Sequence, residues 1–217
     1  MTRVDDGALA RLNEQQMQPV DDARIEEGRA KDGLARAKLA VADSKAKIEV
    51  AKAEREVAVA QLNRTKAEAD LLNQQKADLK DIERAKMDAQ MAAERVRAVD
   101  LKIDYLNKTI GIANLEQEVA TQHAIVAQEV TERAKYQALQ QGQPNQVRDI
   151  NPASLDSQLA NAQAKEAQLR KQAADQRVAL VEVYNKWQEL DAKVRSAPAP
   201  QNSPPPQPTM PSQPTTR

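Results

Sequence analysis

From residue 155 onward, apolar side chains recur at alternating steps of four and three: Leu155, Leu159, Ala162, Glu166, Leu169, Ala173, Gln176, Leu180, Val183, Trp187, Leu190 and Val194. Ten of these twelve are apolar, Ala included. Steps that average about 3.5 residues keep one stripe of an α-helix facing a partner, which is the seam of a coiled coil. The pattern predicts a heptad helix over 152–195, with Glu182→Lys186 and Glu189→Lys193 as outward pairs in the favourable orientation.

Upstream the same spacing appears in three frames. Leu34, Ala37, Val41, Ser44, Ile48 and Ala51, then Ala58, Leu62, Thr65, Ala69, Leu72 and Leu79, share the first. From Ile82 it slips by one, through Ala85, Ala89, Ala92, Val96, Val99, Ile103, Leu106 and Ile110. After Gly111 it slips again, to Ile112, Leu115, Val119, Val126 and Val130. A slip marks a change of supercoil, of partner helix or of direction. The polar run Asn73-Gln74-Gln75-Lys76 and the segment 107–111 are the two candidate bends, and neither combines Gly with Pro, which favours continuity.

Proline divides the chain. It stands at 19, 144 and 152, then eight times between 198 and 214. The long gap from Pro19 to Pro144 reads as helix over 21–141, because a helix interior tolerates Pro least. Residues 1–20 form a lead segment, and Asp21, Asp22, Glu26 and Glu27 crowd the positive end of the expected helix dipole. Gly142 stands where a left-handed residue is wanted to end the helix, with Pro144 two residues on. Asn151-Pro152 pairs a good N-cap with a favoured first helical residue, so 142–151 is a loop between helices.

Length then constrains packing. At about 1.5 Å per residue, 21–141 would span roughly 180 Å and 152–195 about 65 Å, so the second helix covers only about 98–141. The remaining stripe over 21–97 must be buried by self-association or by folding back near 73–77 into a three-helix bundle. The fold class is all-α: a long antiparallel helical hairpin or coiled coil, in its folded-back form a three-helix bundle. Residues 196–217 hold eight prolines among Ser, Gln and Thr, a composition for a disordered tail rich in polyproline II.

Composition agrees with a rod. The chain is alanine-rich, aromatics are 2% and Phe is absent, whereas a compact core normally uses large aromatic rings. Basic and acidic residues balance at 32 each, which provides no broad field for nucleic acid, and no apolar run is long enough to span a membrane. With no Cys, disulfides, thiol catalysis and zinc–thiolate sites are excluded.

Candidate chemistry is sparse. His123 is the single histidine and reads as a seam or flank residue, with no metal or other cofactor implied. No Walker, dinucleotide-binding, nucleophile-elbow or zincin motif occurs, and a rod of narrow helices offers little concavity for catalysis, so an enzyme is not expected. Trp187, with Tyr184 three residues before it, reads as a bulky layer anchoring the base of the hairpin, and Tyr105 and Tyr136 as flank residues. The spacings Pro205/Pro208, Pro208/Pro211 and Pro211/Pro214 suit a proline-reading groove. A flexible spacer or tether is the stronger reading, because such spacings arise in any proline-rich run and no basic residue flanks the core.

Residues 16–62, the segment VDLKIDYLNKTIGIANLE and the segment KYQALQQGQPNQVRDINPASLDSQLANAQAKEAQL resemble alanine-rich coiled-coil proteins of bacterial envelopes, of the lipoprotein type found in myxobacteria. That resemblance implies export through a lipidated N-terminal Cys, hence a periplasmic or outer-membrane-associated location if such a segment has been removed; otherwise the chain is expected in the cytoplasm. It carries over no functional residues. The expected role is a structural scaffold, a spacer or oligomerisation rod whose partner is a second copy or another coiled coil. A holdase-like chaperone, or an adaptor presenting the Pro-rich tail, is the alternative.

Overall fold

The computed structural model describes residues 3–196. Within them lie a short helix α1 (Asp6–Leu9) and three long ones, α2 (Glu14–Gln74), α3 (Leu79–Gly142) and α4 (Pro152–Ser196), with a 3-10 turn at Pro144–Val147 and no strand.

Each end has a local cause. At the start of α2 the Asn13 side chain accepts from the Gln16 N–H at 2.9 Å, and the Gln16 side chain accepts from the Asn13 N–H at 3.1 Å. This reciprocal pair satisfies two N–H groups that helix geometry leaves without partners. It starts the helix seven residues before the expected position 21 and takes Pro19 inside, past the first turn. The Pro19 ring removes one backbone donor there, a local loss that the surrounding helix absorbs. The expected opening of α4 is realised: Asn151 Oδ1 accepts from the Ala153 N–H at 3.0 Å and Pro152 is the first helical residue.

The long stretch does not run straight. After α2 the chain reverses through Lys76, which takes a left-handed φ of 51°, and Asp78 caps α3 by accepting from the Lys80 N–H. The preference for continuity at the polar run 73–76 therefore gives way to folding back: a four-residue link with an Asp cap suffices without Gly or Pro. The other candidate bend, 107–111, is uninterrupted helix.

The three long helices pack antiparallel in sequence order. Glu54 and Arg55 of α2 pair with Lys102 and Asp100 of α3, while Lys193 and Asp156 of α4 pair with Glu94 and Arg133 of α3. α2 and α4 both pack on α3 and barely meet each other. α3 is thus the shared inner helix, and this explains its slipping frames: successive stretches face different combinations of neighbours.

The seam residues fall as follows. Leu155, Leu159, Val183, Val194, Ile82 and Leu106 are buried; Leu169, Leu180, Trp187, Leu190, Val96, Val99, Ile103 and Ile110 are half-buried. Two positions in the upstream frames are exposed: Leu79, the first residue after the reversal, and Val130 on the flank of α3. Gly142 is also placed differently. It is the last residue of α3 with no left-handed backbone, and Leu12 crosses it so closely that a Cβ there would collide with the Leu12 side chain. The bundle ends are unequal. At the base the N-terminal segment and the α3–α4 loop close the core, whereas at the tip α4 stops opposite Glu94 and leaves a two-helix arm roughly 20 Å long.

Candidate functional site

The most chemically distinctive place among the described residues is the base, where the N-terminal segment straps across α2 and α3. Its apolar part is a compact cluster of Val4, Leu9, Val20, Tyr136, Leu139, Val147 and Leu155. Asp5 caps α1 by accepting from the Gly7 N–H at 3.0 Å, which turns the strap toward α3. Beside the apolar cluster, α3 buries Glu129, Thr131, Glu132 and Lys135. Buried charge is unfavourable unless partnered, so the partners matter. Lys135 Nζ lies 2.9 Å from Glu132 Oε1 and 2.8 Å from Asp6 Oδ1, and Arg24 reaches the same Asp6 oxygen at 3.2 Å. The Val4 N–H donates to Glu132 Oε2 at 2.7 Å. Four segments of chain (strap, α1, α2 and α3) therefore meet in one ionic network.

The electrostatics follow from these contacts. The hydrogen bond from Lys135 holds the Asp6 carboxyl below its ordinary range, with Arg24 adding to the effect. Burial works against the charge on Lys135, yet its bonds to Asp6 and Glu132 win and raise its pKa. Glu27 shows the same contest: burial raises it, but Lys31 at 2.6 Å and Thr131 bring it below the usual value. Glu129 goes the other way. Burial and then repulsion from Glu132 raise its pKa, Arg3 opposes them, and its Oε2 atom has no hydrogen-bond partner among the described residues.

Arg3, Arg24, Lys31 and Lys135 line, together with Asp6, Glu27 and Glu132, a cleft of about 460 Å³. Lys135, held above its usual pKa, and Asp6 and Glu27, held below theirs, stay charged at neutral pH, which suits a network that ties the strap to α2 and α3. Among the described residues no group of three or more His, Cys, Asp or Glu side chains is placed to hold a metal ion. No helix there is long and apolar enough to cross a membrane.

A second constellation lies farther up. Tyr105 of α3 stacks on Trp187 of α4 with centroids 5.4 Å apart, and Tyr184 meets both rings at 5.3 and 5.8 Å. Trp187 thus forms a bulky layer, but toward the upper part of α4 and far from the loop, not at the hairpin base. Tyr105 joins this layer and Tyr136 is buried at the base, so neither is a flank residue: with helices on two sides, α3 has little free flank. His123 is half-exposed and its Nδ1 lies 3.1 Å from Glu166 Oε1, which Arg170 also pairs. The tail prolines Pro205, Pro208, Pro211 and Pro214 lie outside the described residues.

The strap and its ionic network are absent from the sequence-based expectations. Residues 4–9 have no helical period long enough to read, and their contacts lie some 128 positions away, as between Val4 and Glu132. One signal existed. Glu129, Glu132 and Lys135 crowd the helix where the third seam ends near Val130, although charges at such spacing ordinarily read as a solvated face. No protein family model matches the chain, and neither a curated protein nor a solved structure is significantly similar to it.

Proposed function

We propose that the chain is a non-enzymatic structural protein of the bacterial envelope, a stiff helical spacer that also associates with other chains. The carrying observation is the 64-residue helix α3, continuous from base to tip, flanked by α2 and, from the base as far as Glu94, by α4. Such a helix is about 96 Å long, and side-by-side antiparallel packing makes bending require slippage of many small interlocked layers. The outer face of α4 carries charge pairs such as Lys186–Glu182, suited to water. Small-angle scattering tests the reading through a maximum dimension near 100 Å per chain with strong helical circular dichroism. A compact particle with a radius of gyration near 17 Å, expected for a globule of this length, would sink it.

One observation favours a second reading, a holdase-like chaperone. The two-helix arm exposes Leu71, Leu79 and Met87 beyond the reach of α4, and flexible apolar side chains at an arm's end suit an unfolded client. Suppression of aggregation of a denatured enzyme, lost on Leu79→Glu with Met87→Glu, supports this role; no suppression by the intact chain removes it.

A further inference from the structure

α2 carries two apolar stripes. One, through Val41, Ile48 and Ala51, is buried on α3. The other runs along the opposite side, in steps of three and four residues from Ile25 to Leu71, with one extra four-residue step between Ala46 and Val50. Every one of its 14 positions is exposed. Five are large: Ile25, Leu39, Val50, Val57 and Leu71, each between 52% and 70% exposed. Six alanines and Gly28 fill the steps between them, and the stripe's only charges are Asp32 and Arg64. An outer helix that faces water carries a polar stripe there, not a second seam.

The order of residues in this stripe identifies what covers it. About a midpoint at residue 48, Ile25 mirrors Leu71, Asp32 mirrors Arg64, Leu39 mirrors Val57 and Ala46 mirrors Val50. A copy laid antiparallel by a two-fold axis through that point sets these eight positions against like-sized or oppositely charged ones, each Asp32 beside the other copy's Arg64. Gly28, Ala35, Ala42, Ala53, Ala60 and Ala67 meet longer polar side chains at the stripe's edge, such as Glu68 and Arg36. A parallel copy would set Asp32 against Asp32 and Arg64 against Arg64. Neighbouring charges do not oppose the arrangement strongly, since Asp43 is already held by Lys47 and Glu54 by Lys102. The alanines allow close approach of the two backbones. A stripe about 70 Å long and about 10 Å wide covers roughly 700 Å² on each copy, or about 1,400 Å² in total, within the range of specific interfaces.

We propose that the outward face of α2 is a self-association surface that joins two copies of the chain antiparallel about residue 48. This rests on the scaffold reading and names its partner, but it stands on α2 alone, whereas the spacer role stands on the shape of the single chain.

Sedimentation equilibrium of the full chain is expected to give twice the 24.0 kDa chain mass at micromolar concentration. Leu39→Glu with Val57→Glu, at two exposed positions, should give a monomer with unchanged helical circular dichroism. Asp32→Arg or Arg64→Asp alone should weaken the dimer about tenfold or more, and the two together should restore it. Because the chain has no Cys, thiols report orientation. Mixed Leu39→Cys and Val57→Cys chains should cross-link to each other, while neither should cross-link to itself across a separation of about 27 Å. A monomeric wild-type chain, self-linking of each single-Cys variant, or failure of the charge swap to restore the dimer would overturn the proposal. Scattering from the Leu39→Glu/Val57→Glu monomer separates the two ideas: a rod near 100 Å keeps the spacer reading even if association fails, and a compact particle removes the spacer reading itself.

Discussion

The base and the tip of the bundle are made from the same few residue types, yet they are held together in different ways. At the base α2, α3 and α4 meet under a strap, with Leu139, Leu155 and Val20 almost fully buried and a partnered ion network beside them. At the tip only α2 and α3 are present, the buried positions are mostly small ones such as Ala69 and Ala85, and Leu71, Leu79 and Met87 stand in water. The difference is one of coverage, not of helix propensity, which is high throughout. Tertiary packing sets local stability in long helices, so the base should outlast the tip.

The largest test of that contrast is a matched pair of truncations. Leu139→Ala at the base should destabilise by about 4 kcal/mol, while Ile82→Ala near the tip should remove about 2 kcal/mol, because the two-helix layer can collapse onto a smaller side chain. Chemical denaturation reads both, and equal losses would abolish the contrast. Next in size, Lys135→Ala should remove about 3 kcal/mol, since it leaves Glu132 and Asp6 without their shared cation.

A smaller effect has the opposite sign. Glu129 has a raised pKa in the folded chain, so its contribution favours the fold below the ordinary carboxylate range and is lost as pH rises through the raised value. At neutral pH its ionised form is a penalty, and Glu129→Gln should stabilise by about 1 kcal/mol, a gain that shrinks on acidification. Asp6 and Glu27, with lowered pKa values, contribute stability above the ordinary carboxylate range and lose it as pH falls through those values. Thermal melts across pH 3 to 7 (values chosen to bracket the carboxylate range of about 4) check both signs. The smallest expected change is Leu79→Glu: at 75% exposure it should alter stability by under about 0.5 kcal/mol.

Local signals made much of this fold legible. The Asn151-Pro152 cap, the heptad from Leu155 and the slip at Ile82 each depend on neighbours within a few residues, and each has a counterpart in the structure. The reversal at 75–78 was legible only as a possibility, because Lys76 adopts a conformation usually left to Gly and the Asp78 cap is a weak mark by itself. The early start of α2 was hidden by Pro19, although Asn13 and Gln16 spell a capping pair. The ionic network at the base could not be read. Asp6, Arg24, Glu132 and Lys135 meet only because three separate helices and a strap converge, and sequence periodicity says nothing about which charges share a place.

The odd number of long helices has a mechanical consequence. The described chain enters at the base and α4 carries its end upward, so residues 3 and 196 lie toward opposite ends of the bundle. Tension applied between them would pull α4 along its own axis against α3, loading every layer from Leu155 to Val194 at once, in shear. A two-helix hairpin pulled from adjacent ends would peel open one layer at a time. The third helix therefore turns a structure that unzips into one that must slide, and the Tyr105–Trp187 stack lies across the plane of that slide.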